Sequence, residues 1–278
     1  MSRSTYRIPL ISLAFLIVMI CHSCFDLDLV EKGEVTLTTD WSQKDQTVPL
    51  PVSYAVKINN QLLHFSATSN PLPDLLPDNY PVWIYNTPEH IQINGNLAKV
   101  DQENGLVHPS PEWLFTAFGI VPFENNTVKT FTVKMQQQVR QLTIQLKPIG
   151  STASKVKAIQ AILSGISGTW NFEKDLVEGP ALKIPLNFQK QVDGTWLANV
   201  RLLGIVDSPQ HVDGKIIFHD GDPVDLHFTA DLSMELADFN NNKQQPKRLA
   251  ANVDTHTEAG FEIRVNDWKE VQESGIAW

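Results

Sequence analysis

The chain has 278 residues, a formal net charge of −9 and 42% hydrophobic residues, with no low-complexity tract and no block of like charge. That length is comfortable for two folded domains of ordinary size. Scattered Lys and Arg on an acidic background exclude the basic face that nucleic-acid binding needs and argue against electrostatic docking on anionic lipid.

Arg3 and Arg7 precede an apolar run over residues 8–20. The run is shorter than the roughly 20 residues that span a bilayer, and a basic start followed by a short apolar stretch is a secretion signal. It ends at Cys21-His22-Ser23-Cys24, which resembles a bacterial lipoprotein signal. Ser23 is the small residue such a signal places just before the modified cysteine, so cleavage is expected after Ser23 and lipid on Cys24. Cys21 and His22 depart from the usual Leu and small residue, and Ile20 is too bulky for Cys21 to be the modified position. No cysteine follows Cys24, which leaves it without a disulfide partner. The alternative, an incidental thiol, gives no reason for a lone cysteine directly behind the leader. Lipid at this position tethers the protein to a membrane surface, and no second apolar run offers a span. With the leader go Arg3 and Arg7, so the mature chain is more acidic still.

Residues 34–41 (EVTLTTDW) alternate as a first strand, and 52–59 with 61–67 read as a hairpin about Asn59-Asn60. Three prolines between Asn70 and Asn79 exclude a regular element there. Residues 80–86 read as a strand, which Pro81 confines to an edge or to its opening residues. Residues 91–100 read as a hairpin with Asn94-Gly95 at the turn, and 118–123 as a strand. The stretch 127–150 is the pivot. Phe131, Val133, Met135 and Val139 share one parity and Leu142, Ile144 and Leu146 the other. A one-residue slip turns a sheet inside out, so a bulge or turn is expected between Val139 and Leu142. Met135, Val139, Leu142 and Leu146 also fit one face of a helix, but β-branched residues at Thr130, Thr132, Val133, Thr143 and Ile144 favour strand. Pro148 and Gly150 stop the run, and Ser151-Thr152-Ala153-Ser154 reads as a linker.

The second half repeats the style. Residues 157–170 are a strand broken by Gly165 and Gly168, or a short helix that those glycines weaken. Strands over 182–190 and 195–205 flank the turn Val192-Asp193-Gly194, and 214–219 and 224–230 flank Asp220-Gly221-Asp222-Pro223. Residues 232–239 fit one helical turn, 248–253 and 261–268 are strands, and a polar tail follows. Many short strands with turn signals every eight to twelve residues predict an all-β protein of two tandem β-sandwiches. The expected division is a leader at 1–23, an N-terminal domain at 24–150 and a C-terminal domain at 151–278.

Chemistry is sparse. His211, His219 and His227 lie near Asp220, Asp222 and Asp225, and His with carboxylate is a common ligand set. The spacing of His219 and Asp222 matches a hairpin end better than a metal site, so no metal and no cofactor is expected. No nucleophile-elbow, zincin or phosphate-loop motif occurs, and beyond Cys24 there is no thiol nucleophile. The expectation is a protein that is not an enzyme. Trp83, Trp170 and Trp196 alternate into predicted strands as core residues, whereas Trp113 lies in a proline-rich loop where it could be exposed.

The collinear pieces resemble the minor fimbrillins, or fimbrial anchor subunits, of Bacteroidales. They run from Val35-Thr36-Leu37 through Leu75-Leu76-Pro77, Tyr85-Asn86 and Trp113-Leu114-Phe115 to Met135-Gln136-Gln137-Gln138-Val139-Arg140-Gln141-Leu142. Leu163-Ser164-Gly165, Val200-Arg201-Leu202-Leu203-Gly204, Phe239-Asn240 and Val265-Asn266-Asp267-Trp268 continue them. The resemblance implies an outer-membrane lipoprotein of two transthyretin-like, Greek-key sandwiches that holds a fimbria at the cell surface and joins fimbrillin subunits by β-strand exchange. It also implies that stalk subunits lose their first strand to a protease cutting after a basic residue, while an anchor keeps it. No arginine lies between Arg7 and Arg140, so an Arg-specific cut has no early site; Lys32, Lys44, Lys57 and Lys99 leave a Lys-specific cut open. A tip or surface adhesin of the same fold, binding glycan or host protein, is the alternative.

Overall fold

The computed structural model describes residues 32–221, 223–256, 263–265 and 267–271. Among these the helical pieces are two short 3₁₀ turns, Ala153–Lys155 and His219–Gly221, and the rest of the regular structure is strand. The first strands are β1 (Glu34–Gln43), β2 (Tyr54–Ile58), β3 (Gln61–Phe65), β4 (Ser69–Pro71) and β5 (Asp78–Tyr85). Asn59 and Asn60 both take positive φ, 44° and 60°, the geometry a two-residue hairpin turn demands. β4 departs from the expectation that prolines keep 70–79 irregular. Ser69–Pro71 pairs with Thr38–Thr36 of β1, and it does so at a sheet edge, where a proline's missing N–H removes no ladder bond. In β5 Pro81 is paired with Ile120 of β10 in mid-strand, but pairing with β2 starts only at Val82, so the proline stands where the β2 side of the strand is still an edge.

Two small hairpins follow, β6 (Ile91–Asn94) with β7 (Leu97–Val100) and β8 (Gln102–Glu103) with β9 (Leu106–Val107). Then come β10 (Phe115–Phe123), β11 (Val128–Gln137) and β12 (Arg140–Ile149). The second half holds β13 (Val156–Asn171), β14 (Leu176–Asn187), β15 (Gln189–Lys190), β16 (Trp196–Leu202), β17 (His211–Phe218) and β18 (Leu226–Asp231). β19 (Lys247–Asp254), β20 (Ile263–Arg264) and β21 (Lys269–Glu270) complete it. The glycines of β13 do not end the strand. Its register with β14 shifts between Ser164 and Ile166 and again between Ser167 and Thr169, so Gly165 (φ 78°) and Gly168 mark bulges in one long strand. Residues 232–239 make one helix-type bond, Leu236 N–H to Leu232 O at 2.9 Å. Of the predicted strand 261–268, residues 261, 262 and 266 lie outside the described set, and the expected polar tail begins with β21.

Three sheets result. The first has the order β3-β2-β5-β10-β11-β1-β4, the second β15-β16-β12-β19-β21, and the third β20-β18-β17-β13-β14-β9-β8, with β7 and β6 added beside β13. Val35 and Leu37 of β1 share one core with Val56 and Ile58 of β2, from opposite regions of the first sheet, so that sheet folds over on itself. The second and third sheets face each other over a larger core containing Leu142, Ile144, Leu163, Ile184, Val200 and Phe218. The protein is an all-β sandwich structure.

The parity flip at the pivot has a different origin from a bulge or turn within one sheet. Val133 and Met135 of β11 point into the first core, and Leu142, Ile144 and Leu146 of β12 into the second, with Gln137 and Arg140 buried between them. The chain steps from one sheet to the other across Gln138-Val139, and its inward face changes because its core changes. The expected break at 150/151 keeps β12 with the first half, but its hydrogen bonds run to β16 and β19. The linker reading missed this because Pro148 and Gly150 end a strand without ending its sheet. β7 and β9 cross the other way and pair with β13 and β14.

Candidate functional site

β1 is the first described strand. Its alternation puts Val35, Leu37 and Thr39 inward, at 3%, 0% and 2% exposure. On one side it runs parallel to β11, with Glu34 to Asp40 opposite Val128 to Lys134; on the other it meets β4. Trp41 closes the strand's far end. Its indole N–H donates to Thr39 Oγ1 at 3.0 Å, and its ring meets Phe115 and Tyr54 edge-on at 5.5 and 6.2 Å. At the near end Gly33 bridges Leu75, and a Cβ there would run into the Glu124 carbonyl, so only glycine allows this approach. The first sheet therefore has its own strand seated between β11 and β4.

Protease-sensitive positions fall into place around this seat. Arg140 is 4% exposed and held by carbonyls, so the first arginine after Arg7 is no cleavage site in the folded chain. Lys32 is exposed and precedes β1, so a cut there spares the strand. Lys44 follows β1, and its ammonium donates to the carbonyls of Asp45 (2.9 Å) and Val48 (2.7 Å). Cys24 and Ser23, the expected lipidation and cleavage positions, lie outside the described residues.

Beneath the first sheet the step at Gln138-Val139 is ringed by buried polar side chains. Arg140 donates from Nε to Gln245 O (2.6 Å) and from one terminal nitrogen to the carbonyls of Asp238 (3.3 Å), Phe239 (2.9 Å) and Asn241 (3.2 Å). Its guanidinium also lies 5.0 Å from the Phe239 ring centroid. Gln137 donates to Val139 O and Lys243 O and accepts from the Asp45 N–H at 2.9 Å, which ties the loop after β1 to this junction. Lys243 reaches Gln138 Oε1 (3.1 Å) and Leu203 O (3.3 Å) and sits 2.8 Å above the Trp170 ring. Burial drives its ammonium well below the ordinary lysine range, with Asp175 opposing. Lys247 pairs with Asp238 (2.8 Å) and Glu270 (3.0 Å), and that hydrogen bond holds the Asp238 carboxyl below its usual value. The resemblance singles out 135–142 without saying why those residues matter; here they are the step between cores. Lys243 and Lys247 are missed altogether, although Lys247 carries a readable signal: it shares parity with inward Leu249 and Ala251.

The remaining candidates disperse. His211 stands opposite Asp231 and His227 opposite Lys215 across β17 and β18. Asp225 is engaged by Lys215 at 2.6 Å, which lowers its carboxyl, His219 and Asp220 are exposed in the 3₁₀ turn, and Asp222 is outside the described residues. Among the described residues no three His, Cys, Asp or Glu side chains come together as metal ligands. Trp170 and Trp196 are buried at 2% and 5% exposure. Trp83 is only partly covered, packing on Phe118 at 5.5 Å. Trp113 is not free on its loop: it packs against both cores, with the Arg201 guanidinium 5.6 Å over its ring.

Comparison with known proteins gives a consistent picture. Residues 36–274 match the family model of "Fimbrillin-A associated anchor proteins Mfa1 and Mfa2". No match is found among curated proteins. Among solved structures, a candidate adhesin from Bacteroides ovatus ATCC 8483 is similar at 16% identity and TM-score 0.57, covering 96% of this chain and 98% of that one. The fimbrial anchor protein Mfa2 from Porphyromonas gingivalis is similar at 10% identity and TM-score 0.57, over 85% of this chain and 96% of that one. A structure described among candidate polysaccharide-binding proteins of Bacteroides thetaiotaomicron is similar at 12% identity and TM-score 0.58, over 87% and 99%. At these identities the structures speak for the fold, and the family model speaks for membership. This chain belongs to the fimbrillin-A associated anchor protein family of Mfa1 and Mfa2.

Proposed function

We propose that this protein is a non-enzymatic outer-membrane lipoprotein that anchors a fimbria. In this reading the leader is cut after Ser23, lipid on Cys24 holds the chain at the cell surface, and two transthyretin-like sandwiches form the anchor body. Assembly with the major fimbrillin proceeds by strand exchange, in which this subunit only donates because its own groove is full. The observation that carries the reading is β1, paired on both sides with Val35, Leu37 and Thr39 buried and with no arginine between Arg7 and Arg140 at which to release it.

The test is the N-terminus of the protein recovered from native envelopes, read by mass spectrometry. The expected first residue is a lipid-modified Cys24, followed by peptides that cover β1. A chain beginning at Asp45, after a cut behind Lys44, would mean that β1 is removed as in a stalk subunit.

A further inference from the structure

We propose that β1 and β11 form a mechanical clamp that holds the first sandwich closed under tension along the molecule. The proposal deepens the anchoring reading and rests on it for the source of the load. Tension enters at the lipid end, ahead of Lys32, and leaves through the second sandwich, into which the C-terminal end of β11 passes directly. What matters is how these two points pull on the strands between them.

β1 and β11 are parallel, with seven consecutive partners from Glu34↔Val128 to Asp40↔Lys134. The load therefore draws β1 by its N-terminal end and β11 by its C-terminal end, in opposite directions along a common axis. Strands pulled this way shear, and the evenly spaced bonds of a parallel ladder carry force together. If the same strands were pulled apart at adjacent ends, the bonds would open one by one. A ladder that fails together must lose several bonds in one step, and forced unfolding is governed by that barrier.

Side chains close off the easier route of slipping. A shift of one residue, about 3.3 Å, would turn Val35, Leu37 and Thr39 outward and bring Glu34, Thr36 and Thr38 into the core. All three inward residues are at most 3% exposed, so β1 has no nearby register to fall into. β4 adds three further pairs on its other side, Thr36 to Thr38. The arrangement recurs downstream: β12 and β19 are parallel over eight partners, Leu142↔Lys247 to Ile149↔Asp254. There β12 takes load at its N-terminal end from β11, and β19 takes it at its C-terminal end once the two-residue strands β20 and β21 give way. Two shear-loaded parallel pairs thus lie in series along the line of pull.

Single-molecule force spectroscopy on the full chain separates geometry from stability. Cys21→Ser and Cys24→Ser leave only introduced thiols to carry handles. Handles at Lys32→Cys and Ser151→Cys load β1 against β11 in shear, because Ser151 pulls on β11 through the taut β12. Handles at Lys32→Cys and Asn125→Cys pull the adjacent starts of the same two strands apart. All three positions are exposed, so each variant keeps the same fold and the same bonds. The expected result is a rupture force several-fold higher in the first geometry than in the second, with the released contour length assigning the event to the first sandwich. Equal forces in the two geometries would overturn the clamp. Failure of anchoring itself reads differently: a Cys24→Ala protein that stays in the envelope would remove the source of load and leave the force ratio unchanged.

Discussion

Arg140→Ala is expected to lower the free energy of unfolding by about 1–3 kcal/mol, the usual cost of taking the partner from a buried hydrogen-bonding group. Arg140 is 4% exposed and donates to the main chain at Asp238, Phe239, Asn241 and Gln245. Those carbonyls belong to the loop that links β18 to β19; with the guanidinium gone the buried Phe239 carbonyl loses its donor, while Asp238 O keeps the Asn241 N–H and the exposed Asn241 and Gln245 can turn to water. Asp238 and Glu270 also lose a nearby positive charge. Arg140→Lys should fall between the two, because an ammonium on a flexible stem cannot span several carbonyls as a planar fork does. The measurement is a urea titration, read as a fall in midpoint at constant m. A loss below about 0.5 kcal/mol, the range of an ordinary surface substitution, would mean that Arg140 does not brace the junction.

Lys243 is expected to give the protein a pH dependence of opposite sense to the usual loss of stability in base. Its folded-state pKa lies well below the ordinary 10.5 because burial disfavours the ammonium, with Asp175 opposing. As pH rises through that depressed value the native amine loses its proton, while the unfolded chain keeps one until about 10.5. Across this window the unfolded state binds more protons, so unfolding free energy rises with pH and flattens near 10.5. Tyr54 and Tyr85 work the other way. Burial raises both phenols above 10.0, so their contribution is lost as pH climbs past the unfolded value. Comparison with Lys243→Met isolates the lysine: the variant should lack the rise, and identical pH profiles for variant and parent would contradict it. The contacts to Gln138 Oε1 and Leu203 O lose their donor in Lys243→Met, a pH-independent cost that offsets the whole curve and cannot itself produce or remove the rise.

Much of the architecture was legible because it is written in alternation of period two. β1, β2, β3 and β5 follow from inward residues such as Val35, Leu37, Val56 and Ile58, and the turn at Asn59-Asn60 from residues that tolerate positive φ. What alternation cannot supply is the partner of each strand. It marks the flip between Val139 and Leu142 correctly, yet a bulge within one sheet and a step between two sheets leave the same trace in sequence. The pairing of β7 with β13 and of β9 with β14 joins residues some seventy positions apart, and no local pattern reports it. β4 hid behind Pro71 because a rule about sheet interiors was applied to a sheet edge. At the candidate site the sequence shows that no arginine lies between Arg7 and Arg140, but not that Arg140 itself is buried. Lys243 carries no periodic signal at all, since it lies in a turn-rich loop whose burial comes from packing on Trp170.

The proposed anchoring role rests on two neighbouring features, the proposed lipid position Cys24 and the β1 seat behind it. Cell fractionation of a Cys24→Ala variant in the native host tests that role most directly, with protein and fimbriae followed by immunoblot in envelope and medium. The expected result is transfer of both from envelope to medium, with the soluble protein still folded and its β1 intact. Retention of the variant and its fimbriae in the envelope at the parental level would contradict it.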